Sequence, residues 1–168
     1  MKPLRLAIDT NVLLDLAGEV DAVAEAMAII GSRLPEADEL VLPSVLDELA
    51  FLAEAGSTDQ TRRLAREAIQ QIRSERRRCR PLLELPVSNV EVEALAGKFR
   101  AGGLLPAKEV HDSMILAEAA MMSCGLLLSS DEHLRGIDHQ ELTWLLHGFE
   151  LAPPIIATPR EIARKFSR

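Results

Sequence analysis

Short apolar runs that alternate with helical patterns are the feature that most constrains the fold of this chain. Residues 4–8 form such a run, which stops at Asp9, and Val12, Leu13 and Leu16 then recur at helical spacing. Further runs lie at residues 40–42, 83–87, 126–129 and 155–156. Because strands that alternate with helices form parallel sheets covered on both faces, we predict an α/β fold, a three-layer sandwich with a central, mainly parallel sheet flanked by helices.

Capping signatures indicate where several of the helices begin. They are Ser44 with Asp47, residues 57–60, Ser88 with Glu91, and Thr158 with Glu161. The second signature opens an arginine-rich helix, which we predict at about residues 58–80, ending before Pro81. Since the chain shows no repeats and no clear linker, we predict a single domain over residues 1–168.

Composition disfavours several kinds of site and location. Only 3% of the residues are aromatic, which argues against base stacking as the main mode of recognition. Cys79 and Cys124 lie far apart and lack the spacing of a metal site or of a disulfide framework. No segment approaches the roughly 20 apolar residues of a membrane span, and the amino terminus lacks a secretory pattern, so we expect no membrane association and a cytoplasmic location.

Acidic side chains follow the predicted strands at the edge where an open parallel sheet binds its ligands. Asp9 ends the first strand, Glu48 lies in the first turn of the helix after the second, and Asp131 follows a later strand. Asp112 lies in the helix that leads into that later strand. Carboxylates brought close together repel one another unless a cation neutralises them, and an all-oxygen ligand set favours Mg²⁺ or Mn²⁺.

Three of these acids also have an ordinary structural explanation. Asp9 would serve equally as the N-cap of the first helix, and Asp131 as a turn residue. Asp112 would form a surface ion pair with Lys108, one helical turn earlier. The sheet rule nevertheless favours all three as ligands, because each lies at or near a strand end.

Glu48 competes with two neighbouring acids for the same role. We favour Glu48 over Asp47, which the capping box already explains, and over Glu54, which lies almost two turns further along. Asp15 is interpreted as surface charge. The histidines show no metal-binding pairing, so we expect ordinary surface or packing roles for them; they are His111, His133, His139 and His147.

Four segments of the chain match, in order and spacing, the motifs of a known family. They are LAIDTNVLL at residues 6–14, LPSVLDEL at 42–49, HDSMILA at 111–117 and LLSSD at 127–131. Together they resemble the PIN domain family of VapC-like ribonucleases, and residues 155–166 resemble its closing strand and helix. Leu134 stands where the family often has an aromatic residue, and residues 57–80 are longer than in its smallest members. Both departures bear on the choice of substrate.

The resemblance implies a Mg²⁺- or Mn²⁺-dependent endoribonuclease that hydrolyses RNA phosphodiester bonds. It implies that Asn11 orients the site and that Ser129 takes the place of the family's usual threonine, although both side chains also suit a turn or cap. The implied catalytic and metal-binding carboxylates are Asp9, Glu48, Asp112 and Asp131. A toxin or an RNA-processing nuclease is implied, and the toxin interpretation adds a small antitoxin partner and a homodimer.

Arginines are concentrated in one segment of a chain whose net charge is −7. That charge argues against a uniformly basic nucleic-acid-binding surface, but residues 62–80 hold eight arginines and two glutamates, a local charge of +6. Such a run is usually a solvated helix face, yet the arginine fork matches phosphate, which favours RNA contact. The arginines predicted to contact RNA are Arg62, Arg66, Arg73 and Arg77.

Two other functions compete with the nuclease hypothesis. The main alternative is a non-catalytic module of the same fold that binds RNA or a protein partner, its acids being structural. The other is a phosphatase with Asp9 as nucleophile, but such enzymes need a second acid two residues later, where this chain has Asn11. No glycine-rich fingerprint follows the first strand, which argues against a dinucleotide site.

Overall fold

The computed structural model describes residues 2–167 and contains a sheet of five parallel strands in the order β3-β2-β1-β4-β5, flanked by helices. The predicted fold class is therefore confirmed. The strands are β1 (Arg5–Ile8), β2 (Asp38–Val41), β3 (Arg80–Pro81), β4 (Leu126–Leu128) and β5 (Ile155–Ala157). The helices are α1 (Thr10–Ala17), α2 (Asp21–Arg33), α3 (Pro43–Ala55), α4 (Asp59–Arg73), α5 (Asn89–Ala101), α6 (Val110–Met121), α7 (Glu132–Arg135), α8 (His139–His147) and α9 (Pro159–Phe166).

The centre of the sheet is apolar on both faces, as expected for parallel strands covered by helices. In β1, Leu6, Ala7 and Ile8 are almost fully buried, and β4 consists of three buried leucines. β1 pairs with β4 through Leu6 and Leu126, and with β2 through Ala7 and Leu40. The two strands whose carboxyl ends carry Asp9 and Asp131 are therefore neighbours.

Two helices illustrate how burial follows from sequence. In α6, residues 115–120 are all buried, because small and aliphatic side chains surround the helix; it packs against α5 and α3. In α4, by contrast, Ala65, Ala68 and Ile72 form a narrow buried stripe, and the other faces carry charged residues. α4 packs against α3 and α1, which places it on the periphery of the fold.

The arginine-rich segment differs from its prediction. Thr58 caps α4 by accepting a hydrogen bond from Thr61 N, but the helix ends at Arg73 and not near residue 80. The strand predicted at residues 83–87 is instead the two-residue β3, which pairs with the end of β2. The chain leaves the helix early because it must turn to bring Arg80 and Pro81 beside β2.

The start of α3 is also different. Leu42 is the N-cap and Pro43 the first helical residue, a position for which the fixed φ of proline is well suited. Ser44 therefore lies inside the helix, and the predicted capping box of Ser44 with Asp47 is wrong. The capping boxes at residues 88–91 and 158–161 are confirmed, each with both reciprocal hydrogen bonds.

Two further predictions concern the thiols and the membrane. Cys79 and Cys124 are both buried and free, and burial raises the pKa of their thiols to about 11 and about 12. Among residues 2–167, every helix falls short of the length and apolar character that crossing a membrane requires.

Candidate active site

Three parallel strands end at one edge of the sheet, and the residues after them include three of the predicted acids. Asp9 follows β1 directly and is the N-cap of α1, while Asp131 follows β4 and is the N-cap of α7. Glu48 follows β2 in the second turn of α3, not in the first. Because α6 leads back to the start of β4, Asp112 in its first turn lies near the same edge.

Asp9 is the most firmly held of these carboxylates. It is only 3% exposed. Its Oδ1 accepts a hydrogen bond from Thr10 N at 2.7 Å, and its Oδ2 accepts from Ser129 Oγ at 2.6 Å and from Asn11 Nδ2 at 3.1 Å. Burial raises the pKa of Asp9 although these hydrogen bonds oppose the shift. Asp9 is thus both the helix cap and a fixed, desolvated carboxylate, for which a nearby cation would be favourable.

Ser129 and Asn11 join the ends of β1 and β4. Ser129 is fully buried; its Oγ donates to Asp9 and accepts a hydrogen bond from Asp131 N at 3.0 Å. Asn11 reaches across in the other direction, since its Oδ1 accepts from Ser130 N at 3.0 Å. The structure therefore brings together four of the predicted site residues in one hydrogen-bonded frame. Their catalytic roles stay predictions.

Glu48 is held by Thr10 and His111. Thr10 Oγ1 donates a hydrogen bond to Glu48 Oε2, and His111 Nε2 lies 2.8 Å from the same oxygen. The histidine contact is an ion pair when His111 is protonated, although within residues 2–167 this buried nitrogen has no aligned hydrogen-bond partner. Burial opposes both charges, but the contacts outweigh it: the pKa of Glu48 is lowered and that of His111 is raised.

Asp112 and Asp131 lie at the same edge of the sheet but differ in their contacts and environment. Asp131 Oδ1 accepts hydrogen bonds from His133 N at 2.8 Å and Leu134 N at 3.0 Å, so it caps α7. Burial, together with the negative charges of Asp131 and Asp9, raises the pKa of Asp112 to about 7. The local potential at Asp112 is therefore strongly negative, as expected where several carboxylates approach one another without a neutralising cation.

The four carboxylates have the ligand type and the charge that suit a hard divalent cation, but their distances from one another in the described structure do not suit one shared ion. The four acids offer only oxygen ligands, the kind that Mg²⁺ and Mn²⁺ prefer. However, among residues 2–167 the structure places no group of three or more His, Cys, Asp or Glu side chains closely enough to hold a metal ion. Glu48 is paired with His111 in this arrangement.

The four arginines predicted to contact RNA have different environments. Arg62 donates to Gly56 O and Asp59, and Arg77 donates to Leu16 O at 3.0 Å and to Gln71 at 2.9 Å. These two side chains are already engaged within the fold. Arg66 and Arg73 lie on one exposed face of α4 and have no carboxylate partner within residues 2–167. They alone of the four present free guanidinium groups to solvent.

Three residues near the site had no predicted role there. Thr10 and His111 contact Glu48 directly, whereas His111 had been expected only to flank the site with a surface or packing role. Both are adjacent to predicted acids in the motifs, which was the available signal. The third is Glu118, a buried acid on α6 that contacts Ser44. Its signal was a charge within the otherwise apolar residues 114–121 of α6.

The comparisons with known proteins show the fold and no more. No protein-family model matches the sequence, and no curated protein matches it. Among solved structures, the chain is similar to one in the crystal structure of VapBC2 from Rickettsia felis bound to a DNA fragment from their promoter. The TM-score is 0.57 with 12% sequence identity, covering 80% of this chain and 93% of that chain. The similarity thus extends over nearly the whole of the matched chain.

Proposed function

We propose that this chain is a Mg²⁺- or Mn²⁺-dependent endoribonuclease of the PIN domain type. The observation that carries the proposal is the frame in which Ser129 and Asn11 fix the buried Asp9 across β1 and β4. This frame holds the Asp9 carboxylate rigidly at the edge of the sheet where Glu48, Asp112 and Asp131 also lie. The four motifs in the sequence and the fold shared with a chain of VapBC2 support the same function.

A divalent ion would be held by Asp9, Glu48, Asp112 and Asp131. When bound, Mg²⁺ or Mn²⁺ supplies neutralising charge and polarises a phosphoryl group towards hydrolysis. The chain's own residues provide the geometry: Ser129, Asn11 and Thr10 N orient the Asp9 carboxylate, and Thr10 and His111 hold Glu48. Arg66 and Arg73 offer forked donors to the phosphates of a bound RNA.

The test is cleavage of a mixed pool of structured and single-stranded RNA with Mg²⁺, with Mn²⁺ and with EDTA. We expect cutting with either metal, none with EDTA, and none for Asp9→Asn. Asparagine is also a favoured N-cap, so this variant keeps the start of α1 while removing the charge. A folded Asp9→Asn protein that cleaves RNA as the parent does would refute the proposed site.

One observation favours the second candidate, a module of the same fold that binds RNA or a protein without catalysis. It is that the described side chains form no ready group of three metal ligands. The two functions differ in their response to metal alone, because an ion that binds the native state must stabilise it. A nuclease should show a rise in melting temperature with Mn²⁺ that Asp9→Asn abolishes. A binding module should show no such rise.

We also propose, as part of the nuclease function, a small antitoxin partner and a homodimeric state. The family resemblance supports both, and the likeness to a chain of VapBC2 supports the antitoxin partner only. Sedimentation of the purified chain tests the homodimer: a dimer is expected at micromolar concentration, and a monomer would contradict it. The partner is tested by growth, since expression of the chain alone should arrest cells and Asp9→Asn should relieve the arrest.

A further inference from the structure

Glu118 is a carboxylate in the interior of the protein. It lies in the middle of α6 among Leu116, Ala117, Ala119 and Ala120, and is 4% exposed. Burial raises the pKa of Glu118, and the hydrogen bonds from Ser44 oppose the shift only in part. A buried carboxylate contributes little net stability compared with an apolar side chain of similar size. Its contacts therefore indicate a role other than filling the core.

Within residues 2–167, the hydrogen bonds that the Glu118 carboxylate accepts all come from one residue of α3. Ser44 N lies 3.2 Å from Oε1 and 3.1 Å from Oε2, and Ser44 Oγ donates to Oε1 at 2.7 Å. Ser44 is in the first turn of α3, where backbone N–H groups have no partner within the helix and the helix dipole favours an anion. Glu118 thus ties the beginning of α3 to the middle of α6.

The two helices joined in this way each carry part of the candidate site. Glu48 lies one turn after Ser44 on α3, while His111 and Asp112 lie in the first turn of α6. The contact of His111 with Glu48, at 2.8 Å, spans the same two helices. A small rotation or slide of α3 against α6 would change this contact and would move the Glu48 carboxylate relative to Asp112.

We propose that Glu118 is a positioning residue. It acts through Ser44 to fix α3 against α6, and it thereby determines the position of the Glu48 carboxylate in the site. The inference rests on the proposed nuclease function. Glu118 touches neither the candidate ligands nor any substrate in this role. Its effect is on the arrangement of Glu48, His111 and Asp112.

The test compares Glu118→Ala and Glu118→Gln with the matched control Glu93→Ala. Glu93 is an exposed acid that lines the same cavity of about 560 Å³ as Ser44 and Glu118, so its removal makes the same change in charge. The glutamine of Glu118→Gln keeps an oxygen acceptor for Ser44, so this variant should retain most of the parent activity. For Glu118→Ala we expect kcat for RNA to fall about 10-fold, as for other residues that orient metal ligands, with KM changed less than about twofold.

Because Glu48 is less firmly positioned in Glu118→Ala, this variant should also need about 10-fold more Mn²⁺ for half-maximal activity. If Glu118→Ala does not fold, Ser44→Ala removes only one of the hydrogen bonds and should give a smaller change in the same direction. Equal kinetics and equal Mn²⁺ dependence in Glu118→Ala, Glu93→Ala and the parent would overturn the proposal.

A second measurement does not depend on activity. The NMR signals of the His111 ring nitrogens, recorded at one fixed pH, report its contact with Glu48. They should move in Glu118→Ala towards their positions in Glu48→Gln, and stay in place in Glu118→Gln and Glu93→Ala. If the parent neither cleaves RNA nor binds Mn²⁺, the nuclease function fails. Unmoved His111 signals in folded Glu118→Ala would then, separately, overturn the positioning role.

Discussion

The acidic edge of the sheet and the arginine-rich segment differ in how sequence position relates to position in the fold. The acids at positions 9, 48, 112 and 131 are far apart in the chain, and the parallel strand order brings them to one edge. The arginines of residues 62–80 are neighbours in the chain, and the fold disperses them. Nearness in sequence therefore predicts little about which charges act together in this protein.

The dispersal of the arginines follows from where α4 ends. Arg77 donates to the last turn of α1, and Arg78 donates to Gly31 O at 3.0 Å at the end of α2. The Arg78 guanidinium also lies 3.4 Å from Glu39, a buried acid of β2. Basic groups at helix carboxyl ends satisfy free carbonyl oxygens, so these two arginines stabilise the fold. Arg66 and Arg73, on α4 itself, stay exposed.

The largest effect should come from removing charge at the acidic edge. We expect Glu48→Gln to lower the rate of RNA cleavage by at least about 100-fold, because the loss of a direct ligand exceeds the loss of a residue that only supports one. Glu54→Gln, an exposed acid further along α3, should leave the rate unchanged. Initial rates of the two variants provide the measurement. Equal losses of rate in Glu48→Gln and Glu54→Gln would mean that the location of Glu48 at the acidic edge does not matter for cleavage.

A smaller but distinct effect should come from the structural arginines. We expect Arg78→Ala to lower the free energy of unfolding by about 2 kcal/mol, since it leaves Glu39 buried without its partner. The value is reduced from that of a fully buried pair because the Arg78 side chain is 43% exposed. Arg73→Ala should change stability by less than about 0.5 kcal/mol. Urea denaturation of both variants decides whether the two arginines differ.

The exposed arginines should affect RNA binding and not stability. In an Asp9→Asn background, which prevents cleavage, replacing both Arg66 and Arg73 by glutamine should weaken RNA binding several-fold. The slope of log affinity against log salt should decrease by about 1.4 for single-stranded RNA, since two phosphate contacts are lost. Fluorescence anisotropy at several salt concentrations measures both quantities. An unchanged slope would show that this face of α4 is merely solvated.

The smallest effect concerns the pH dependence of stability at Glu118. Its folded-state pKa is raised above the ordinary value of 4.5, so the folded protein binds this proton more tightly than the unfolded chain does. The resulting stability is present below pH 4.5 and is lost as the pH rises through the folded-state pKa. Glu118→Gln should therefore lose less stability than the parent between pH 4.5 and 7 in urea titrations. The pKa of Asp9 and that of Glu39 are also raised, so the comparison rests on the difference between the two proteins.

The local patterns of the sequence predicted the architecture well. The apolar runs located β1, β4 and β5 and the end of β2; the central β1 and β4 are the most apolar because both of their faces are buried. Two capping boxes were also visible, since each is completed within four residues, whereas the signature at residues 57–60 lies one residue before the actual cap at Thr58. The predicted acids, with Asn11 and Ser129, lie at one edge because alternating strands and helices give a parallel sheet, whose strands end at the same edge.

The sequence by itself thus determined the order of the elements and the residues at the ends of the strands. Only the tertiary structure decided that Glu48 pairs with His111, that Glu118 binds Ser44, and that α4 stops at Arg73. These contacts could not be read from local patterns because they join residues that are remote in the chain, such as Ser44 and Glu118, separated by 74 positions. Helix propensity and charge are local properties, and they carry no information about which carbonyl or carboxylate packing will bring within reach of a given side chain.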